Sequence, residues 1–134
     1  MYANDTNDKE GKIIHKELSY KITGLLFDVH NELGRFCREK QYGDRLESLL
    51  RESDITFERE KALPVAGIDN NTTNKVDFVL QGKILLDLKA KTVITKADYY
   101  QMQRYLKASG LKLGILVNFC TKYLHPIRII RINS

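Results

Sequence analysis

The chain has 134 residues, of which 43% are hydrophobic and 29% charged, and it contains only two prolines and eight glycines. This composition excludes a disordered or low-complexity chain, and the length is sufficient for one domain with a substantial core. The formal net charge of +5 favours polyanionic partners such as nucleic acid, although many modestly basic proteins bind none.

The first third of the chain predicts two amphipathic helices, because apolar residues recur there at steps of three and four. The first helix spans about 12–33 and ends at Gly34, a residue type suited to the position after a helix. The second helix spans about 38–53. The polar residues 1–10 are expected to form a flexible segment ahead of one domain of residues 11–134.

The rest of the chain predicts a third helix, a turn and five strands. Thr95 and Asp98 have the spacing of a capping box, which predicts a helix over about 96–109. Gly and Asn residues predict a turn at 67–71. Apolar runs predict strands at 55–61, 76–80, 84–90, 113–119 and 127–132. This order of elements predicts an α/β fold with a mixed sheet flanked by helices.

Two isolated carboxylates interrupt neighbouring apolar strands, Asp77 in one and Asp87 in the next, and Lys89 follows two residues later. A charge inside an apolar sheet is costly unless another group compensates it. Side chains two residues apart in a strand share a face, so Asp87 and Lys89 point the same way. The pattern therefore indicates a polar site on one face of the sheet.

The register of the hairpin decides whether Asp77 joins that face. A three-residue connection at 81–83, or an equivalent bulge, pairs Leu80 with Ile84 and places the two acids opposite each other. A two-residue turn would pair Leu80 with Lys83 and send the acids to opposite faces. The functional interpretation requires the first register.

Two carboxylates brought together repel, and a bound divalent cation relieves that repulsion. Hard oxygen ligands suit Mg²⁺ or Mn²⁺, which can polarise a phosphate and lower the pKa of a bound water. Lys89 would then orient or deprotonate the attacking water, or stabilise developing negative charge. The alternative is that Asp77, Asp87 and Lys89 are surface residues joined by an ordinary salt bridge.

One pattern of residues extends over about residues 18–119. It consists of Glu39 and Tyr42, of Asp77, and of the three segments DLKA, QMQRYLKASG and LGILVNF, at 87–90, 101–110 and 113–119. In this pattern the chain resembles the GxxExxY protein family of the PD-(D/E)XK nuclease superfamily. This resemblance implies a restriction-endonuclease-like αβββαβ core and metal-dependent hydrolysis of phosphodiester bonds. The chain departs from the pattern at Phe36, where the first glycine is expected, and at Val76, where a proline is expected.

The resemblance also implies roles for individual residues. Asp77 and Asp87 match the two acids of the superfamily motif, and Lys89 matches its lysine. Glu39 matches an acid on the preceding helix and would be a third metal ligand, while Gln101 matches a polar residue on the helix after the motif. A role for Glu39 as a stabilising acid at the start of its helix is an equal alternative.

Basic residues surround the proposed site in sequence, and each is expected either to contact a phosphate backbone or to belong to an ordinary solvated helix face. They are Lys91, Lys96, Arg104, Lys107 and Lys112. Tyr99 and Tyr100 are candidates for stacking on bases, although one of them is expected to pack on the sheet.

We therefore expect a Mg²⁺- or Mn²⁺-dependent nuclease that acts on DNA. The alternatives are a noncatalytic nucleic-acid-binding module and a protein-interaction module that keep the same fold. The two cysteines, Cys37 and Cys120, form neither a zinc-ligand nor a disulfide pattern, which fits the reducing cytoplasm. The sequence shows neither a signal peptide nor about 18 consecutive apolar residues, so no membrane segment is expected. A homodimer or a protein partner would supply the specificity that so small a domain lacks.

Overall fold

The computed structural model describes residues 13–64 and 74–132. Within these residues, three helices and five strands follow one another in the predicted order. They are α1 (Lys16–Leu33), α2 (Glu39–Glu52), β1 (Phe57–Ala62), β2 (Lys75–Leu80), β3 (Ile84–Lys89), α3 (Lys96–Ser109), β4 (Leu113–Asn118) and β5 (Ile127–Ile130). The predicted flexible segment at 1–10 and the predicted turn at 67–71 lie outside the described residues.

The five strands form one mixed sheet in the order β1-β2-β3-β4-β5. Three of the neighbouring pairs are antiparallel, whereas β3 and β4 are parallel and are connected through α3. A parallel pair needs a crossover connection, and a helix is its usual form. The predicted α/β fold with a mixed sheet flanked by helices is confirmed, and it fits an αβββαβ restriction-endonuclease-like core.

The helices cover both faces of the sheet. Along β3, Ile84, Leu86 and Leu88 pack in the cluster that includes the buried faces of α1 and α2. Leu85 points to the other face and packs with α3. β4 lies between these layers and is buried along its whole length, as its near-continuous apolar sequence predicts. The period of two along the central strands thus separates two apolar clusters.

The connection from α1 to α2 is held by a buried tyrosine. α1 ends at Gly34, which has a φ of 76° and donates its N–H to His30 O at 2.8 Å. The Tyr42 hydroxyl donates to Gly34 O at 2.6 Å and accepts from the Cys37 N–H at 3.1 Å. The Tyr42 ring stacks on Phe119, with the ring centroids 4.2 Å apart. Tyr42 therefore fixes the backbone that leads into α2.

The predicted capping box is present at the start of α3. Thr95 donates its N–H to Asp98 Oδ2 at 2.8 Å, and this satisfies a donor that the helix itself leaves unpaired. The helix ends at Gly110, whose φ of 75° is easily reached only by glycine. These two ends position α3 over β3 and β4.

Close packing of α3 on β4 requires glycine at position 114, and this requirement can be tested. A Cβ added to Gly114 would lie 2.4 Å from Sδ of Met102, whose side chain is 1% exposed. Gly114→Ala should therefore destabilise the protein by about 1–3 kcal/mol through overpacking. Gly24→Ala on α1 is the matched control, since its Cβ meets nothing within 4 Å, and it should stabilise by about 0.5–1 kcal/mol. Urea unfolding of both variants checks the opposite signs.

Candidate active site

The β2–β3 hairpin has the first of the two registers that the sequence allowed. Leu80 pairs with Ile84, which leaves three connecting residues, as the functional interpretation requires. Gln81 and Gly82 both have positive φ, 51° and 64°, and Lys83 donates its N–H to Leu80 O at 2.9 Å. The turn is therefore a tight one with an extra residue.

Beyond the backbone pairing of Phe78 with Leu86, the side-chain carboxylates of Asp77 and Asp87 accept the hydrogen bonds that link β2 to β3. The Asp77 N–H donates to Asp87 Oδ1 at 3.3 Å, and the Leu88 N–H donates to Asp77 Oδ2 at 2.6 Å. Each side chain thus accepts a hydrogen bond from the neighbouring strand. The structure brings Asp77 and Asp87 together at this point.

The environment of Asp77 strongly disfavours its negative charge. Burial raises the pKa of Asp77 and the neighbouring Asp87 carboxylate raises it further, to about 7. The Leu88 N–H acts in the opposite direction, and the charge of Glu39 adds a smaller increase. Two carboxylates at close range in a partly buried place cannot both ionise easily without a compensating cation.

Lys89 lies between the acids and α3. Its Nζ is 3.2 Å from Asp87 Oδ2 and donates to Gln101 Oε1 at 3.2 Å. Burial alone would lower the pKa of Lys89, but the charges of Asp87, Asp98 and Glu39 outweigh it and raise that pKa. Lys89 is therefore held as a cation. The predicted residues Asp77, Asp87, Lys89 and Gln101 form one continuous chain of contacts.

Glu39 is the first residue of α2 and is exposed. It lines the same cavity as Asp77 and Leu88, which has a volume of about 320 Å³. Its charge acts on Asp77 and on Lys89. Across residues 13–64 and 74–132, no three His, Cys, Asp or Glu side chains come close enough together to hold a metal ion by themselves. The two strand acids form a pair, and Glu39 borders it.

Two polar residues that were not predicted as site residues hold the lysines in place. Asp98 lies 3.9 Å from Lys89 Nζ through Oδ1 and 2.5 Å from Lys91 Nζ through Oδ2. Asn118 accepts the Lys91 N–H at 3.1 Å and donates to Lys91 O at 2.8 Å. The sequence identifies Asp98 only as a cap, because its distance to these lysines depends on where α3 crosses β3.

The predicted phosphate-contacting residues are placed differently from one another. Lys96, Arg104 and Lys107 are exposed on α3, whereas Lys91 is half-buried and paired with Asp98. Tyr100 lies on α3 with 54% of its surface exposed, and Tyr99 is buried in the cluster beneath α3. The expectation that one of the two tyrosines packs on the sheet agrees with this placement.

Arg59 on β1 is another charged residue at this cavity. Its guanidinium pairs with Asp44 at 2.7 Å and with Glu47 at 3.1 Å, and it lies 5.5 Å from the ring centroid of Phe78. A Cβ on Gly43 would meet this group at 2.6 Å, so glycine leaves it the necessary room. Arg59 thereby ties α2 to the sheet beside the acids.

The model of the PD-(D/E)XK nuclease superfamily matches residues 16–131, and the chain therefore belongs to this superfamily. The match includes every residue of the site described above. Its members are nucleases that generally use divalent metal ions, which agrees with the paired acids and the adjacent lysine. No curated protein matches the chain.

Two solved structures are similar in outline. The crystal structure of SSO0001 has a TM-score of 0.49 and 18% identity, and the match covers 84% of this chain and 67% of that one. The alkaline exonuclease LHK-Exo from Laribacter hongkongensis has a TM-score of 0.47 and 13% identity, with 85% and 69% covered. Among the helices of the described residues, none is long and apolar enough to span a membrane.

The raised pKa of Asp77 predicts a pH dependence of stability in metal-free protein. The folded state keeps this proton up to about pH 7, whereas an unfolded aspartate releases it near about pH 3.9. The folded state binds more protons between these values, so stability should fall as pH rises from about 4 to about 7. Asp77→Asn should flatten that slope in urea unfolding with EDTA. Each tenfold difference in proton affinity between the folded and unfolded states corresponds to about 1.4 kcal/mol.

Asp28→Asn is the matched control for this experiment, because Asp28 is an exposed aspartate on α1. It should keep the wild-type slope. A wild-type slope equal to that of Asp77→Asn would show that the charge conflict at Asp77 does not exist.

Proposed function

We propose that this protein is a metal-dependent nuclease that hydrolyses phosphodiester bonds in DNA, and that it falls within the GxxExxY group of its superfamily. The observation that carries the proposal is the contact chain from Asp77 through Asp87 to Lys89 and Gln101. An ordinary salt bridge to Lys89 would need only Asp87, because a second, partly buried acid at Asp77 adds repulsion. A divalent cation bound by both carboxylates would explain the presence of the second acid.

The donor set fits a divalent cation. Asp77 and Asp87 offer hard oxygen atoms, and the raised pKa of Asp77 reflects the repulsion that a cation would relieve. These two residues would hold Mg²⁺ or Mn²⁺, with Glu39 binding from the border of the cavity, directly or through water. When bound, such an ion supplies Lewis-acid polarisation of the phosphate and a more acidic water.

Lys89 would act by charge. A phosphoryl group that is being attacked accumulates negative charge on its oxygens, and a positioned cation stabilises that charge. Because Asp87 and Asp98 hold Lys89 protonated, orienting the attacking water and stabilising charge are better assignments than accepting a proton. Gln101 would keep the Lys89 ammonium aimed at the phosphate by accepting one of its hydrogen bonds.

The outer surface of α3 supports nucleic acid as the substrate. Lys96, Tyr100, Arg104 and Lys107 follow one another at helical spacing and are all exposed. Cations along one stripe can follow a phosphate backbone, and an intervening aromatic ring can stack on a base. Lys91 would contribute from the end of the stripe only when its pairing with Asp98 is exchanged for a phosphate.

We propose a cytoplasmic location, and the proposal rests on the two cysteines. Cys37 and Cys120 are both free, which fits the reducing cytoplasm.

The mechanism predicts different defects for the lysine and the acids. Lys89→Ala should lower the rate of DNA cleavage by about 10²–10³ while leaving metal affinity close to that of the wild type. Asp77→Ala and Asp87→Ala should weaken Mn²⁺ binding as well, because each removes a ligand. Cleavage of single-stranded and duplex DNA in Mg²⁺, with isothermal titration of Mn²⁺, separates the two defects.

Lys21→Ala is the control for these variants, because Lys21 is an exposed lysine on α1 and has no part in the proposed site. It should cleave at the wild-type rate. Cleavage that persists in EDTA, or that is unchanged in Lys89→Ala, would overturn the mechanism. Binding of Mn²⁺ and DNA without cleavage of any substrate would instead favour a noncatalytic nucleic-acid-binding module. Retained Mn²⁺ binding without DNA affinity would favour a protein-interaction module.

The basic stripe on α3 predicts a salt-dependent contribution to affinity. Arg104→Ala and Lys107→Ala should each reduce the slope of log affinity against log salt concentration by about 1, because each removes one phosphate contact. Lys21→Ala, an exposed lysine on α1, should leave the slope unchanged. Fluorescence anisotropy with labelled DNA in EDTA measures the slope, and equal slopes for all three variants would remove α3 from the binding surface.

A further inference from the structure

Two loops of this protein each expose an aromatic ring beside a cation. In the connection from α1 to α2, Phe36 is 87% exposed and the Arg35 guanidinium lies 5.0 Å from its ring centroid. In the connection from β4 to β5, Tyr123 is 70% exposed and Lys122 Nζ lies 5.4 Å from its ring centroid. Neither ring contributes to the core, so packing does not explain either residue.

The loop that carries Phe36 adjoins the candidate site. Phe36 stands three residues before Glu39, which lines the cavity beside Asp77. Tyr42 holds the backbone of this loop through the hydrogen bonds to Gly34 O and the Cys37 N–H. Phe36 is therefore presented from a fixed backbone close to the start of α2.

The loop that carries Tyr123 adjoins the same site from the end of β4. Phe119 donates its N–H to Lys89 O at 2.9 Å, four residues before Tyr123. Thr121 Oγ1 donates to Tyr123 O at 2.7 Å and restrains the backbone at the ring. The lysine of the site and the exposed tyrosine thus belong to neighbouring, hydrogen-bonded segments.

Contacts from α1 and α2 to the β4–β5 connection keep the two loops at the same end of the molecule. The Tyr42 ring stacks on Phe119, and His30 Nε2 lies within hydrogen-bond distance of Thr121 O, at 2.8 Å. The two exposed rings are consequently carried by one connected structure rather than by independent loops. A pair of fixed rings with neighbouring cations matches the chemistry of an unpaired base and its phosphate.

We propose that Phe36 and Tyr123 are stacking platforms for unpaired bases, and that Arg35 and Lys122 contact the adjoining phosphates. Bases within a duplex are already stacked on each other, so exposed rings of this kind select single-stranded DNA or frayed ends. This inference rests on the proposed nuclease function and specifies its substrate. It assigns substrate selection to the α1–α2 side of the site, whereas the basic stripe lies on α3.

The test measures binding without metal, so that it does not depend on turnover. The probes are a fluorescein-labelled oligothymidine and a blunt duplex of the same length, both in EDTA and followed by anisotropy. The wild type should bind the single strand more tightly than the duplex. Phe36→Ala and Tyr123→Ala should each weaken single-strand binding by about 5- to 150-fold, the range of one lost stacking contact, with little effect on the duplex.

Three matched variants distinguish stacking from a structural defect. Phe36→Tyr and Tyr123→Phe keep a ring and should retain single-strand affinity. Tyr20→Ala removes an 81% exposed ring from α1, close to the helix end that faces the β2–β3 hairpin, and should bind like the wild type. Thermal melts should show the same fold stability for all these loop variants, since neither ring is buried.

Each result decides for or against the proposal. Equal affinity of Phe36→Ala, Tyr123→Ala and wild type for the single strand would overturn it, as would an equal loss on single strand and duplex. A wild-type dimer in sedimentation that becomes monomeric in Phe36→Ala would assign the ring to a protein interface instead. Absence of cleavage in Mg²⁺ would contradict the nuclease function alone, because the binding result does not require it.

Discussion

The structure depends on how β2 and β3 are joined beyond the backbone pair of Phe78 with Leu86. Two carboxylates take over as acceptors there, so that the N–H groups of Asp77 and Leu88 remain satisfied. The arrangement requires two negative groups at close range, and the raised pKa of Asp77 shows its cost. The two carboxylates that repel each other also accept the hydrogen bonds of the backbone N–H groups. This is why a polar site can exist inside an apolar sheet.

The surrounding elements place further charges around the two acids: Lys89 offsets the negative charge of Asp87, whereas Glu39 adds to the repulsion at Asp77. Lys89 pairs with Asp87 and reaches α3 through Gln101, and Asp98 at the start of α3 adds a further negative charge. On the other side, α2 begins at Glu39 beside the cavity. The helices therefore do more than cover the sheet, since the first two turns of α2 and α3 provide polar groups around the paired acids. Side chains held by several partners are already positioned, which lowers the cost of reaching a reactive geometry.

The surface around the site divides into two regions of different chemistry. α3 presents exposed cations at helical spacing, which suit a phosphate backbone irrespective of base pairing. The loops that carry Phe36 and Tyr123 present rings, which suit bases that are not stacked in a duplex. In the proposed function, charge on α3 would give affinity for the backbone, and stacking on the two loops would discriminate between strand states.

The sequence by itself determined the elements, their order, the mixed α/β fold and the short list of Asp77, Asp87 and Lys89, because periodicity and spacing are local properties of the chain. It reduced the hairpin to two registers without deciding between them. The tertiary structure decided the register, through positive φ at Gln81 as well as at Gly82, and a positive φ at glutamine has no clear sequence signal. It also decided the partners of Asp98 and Asn118. Those contacts join residues from different elements, and their distances are set only when helices and strands pack together.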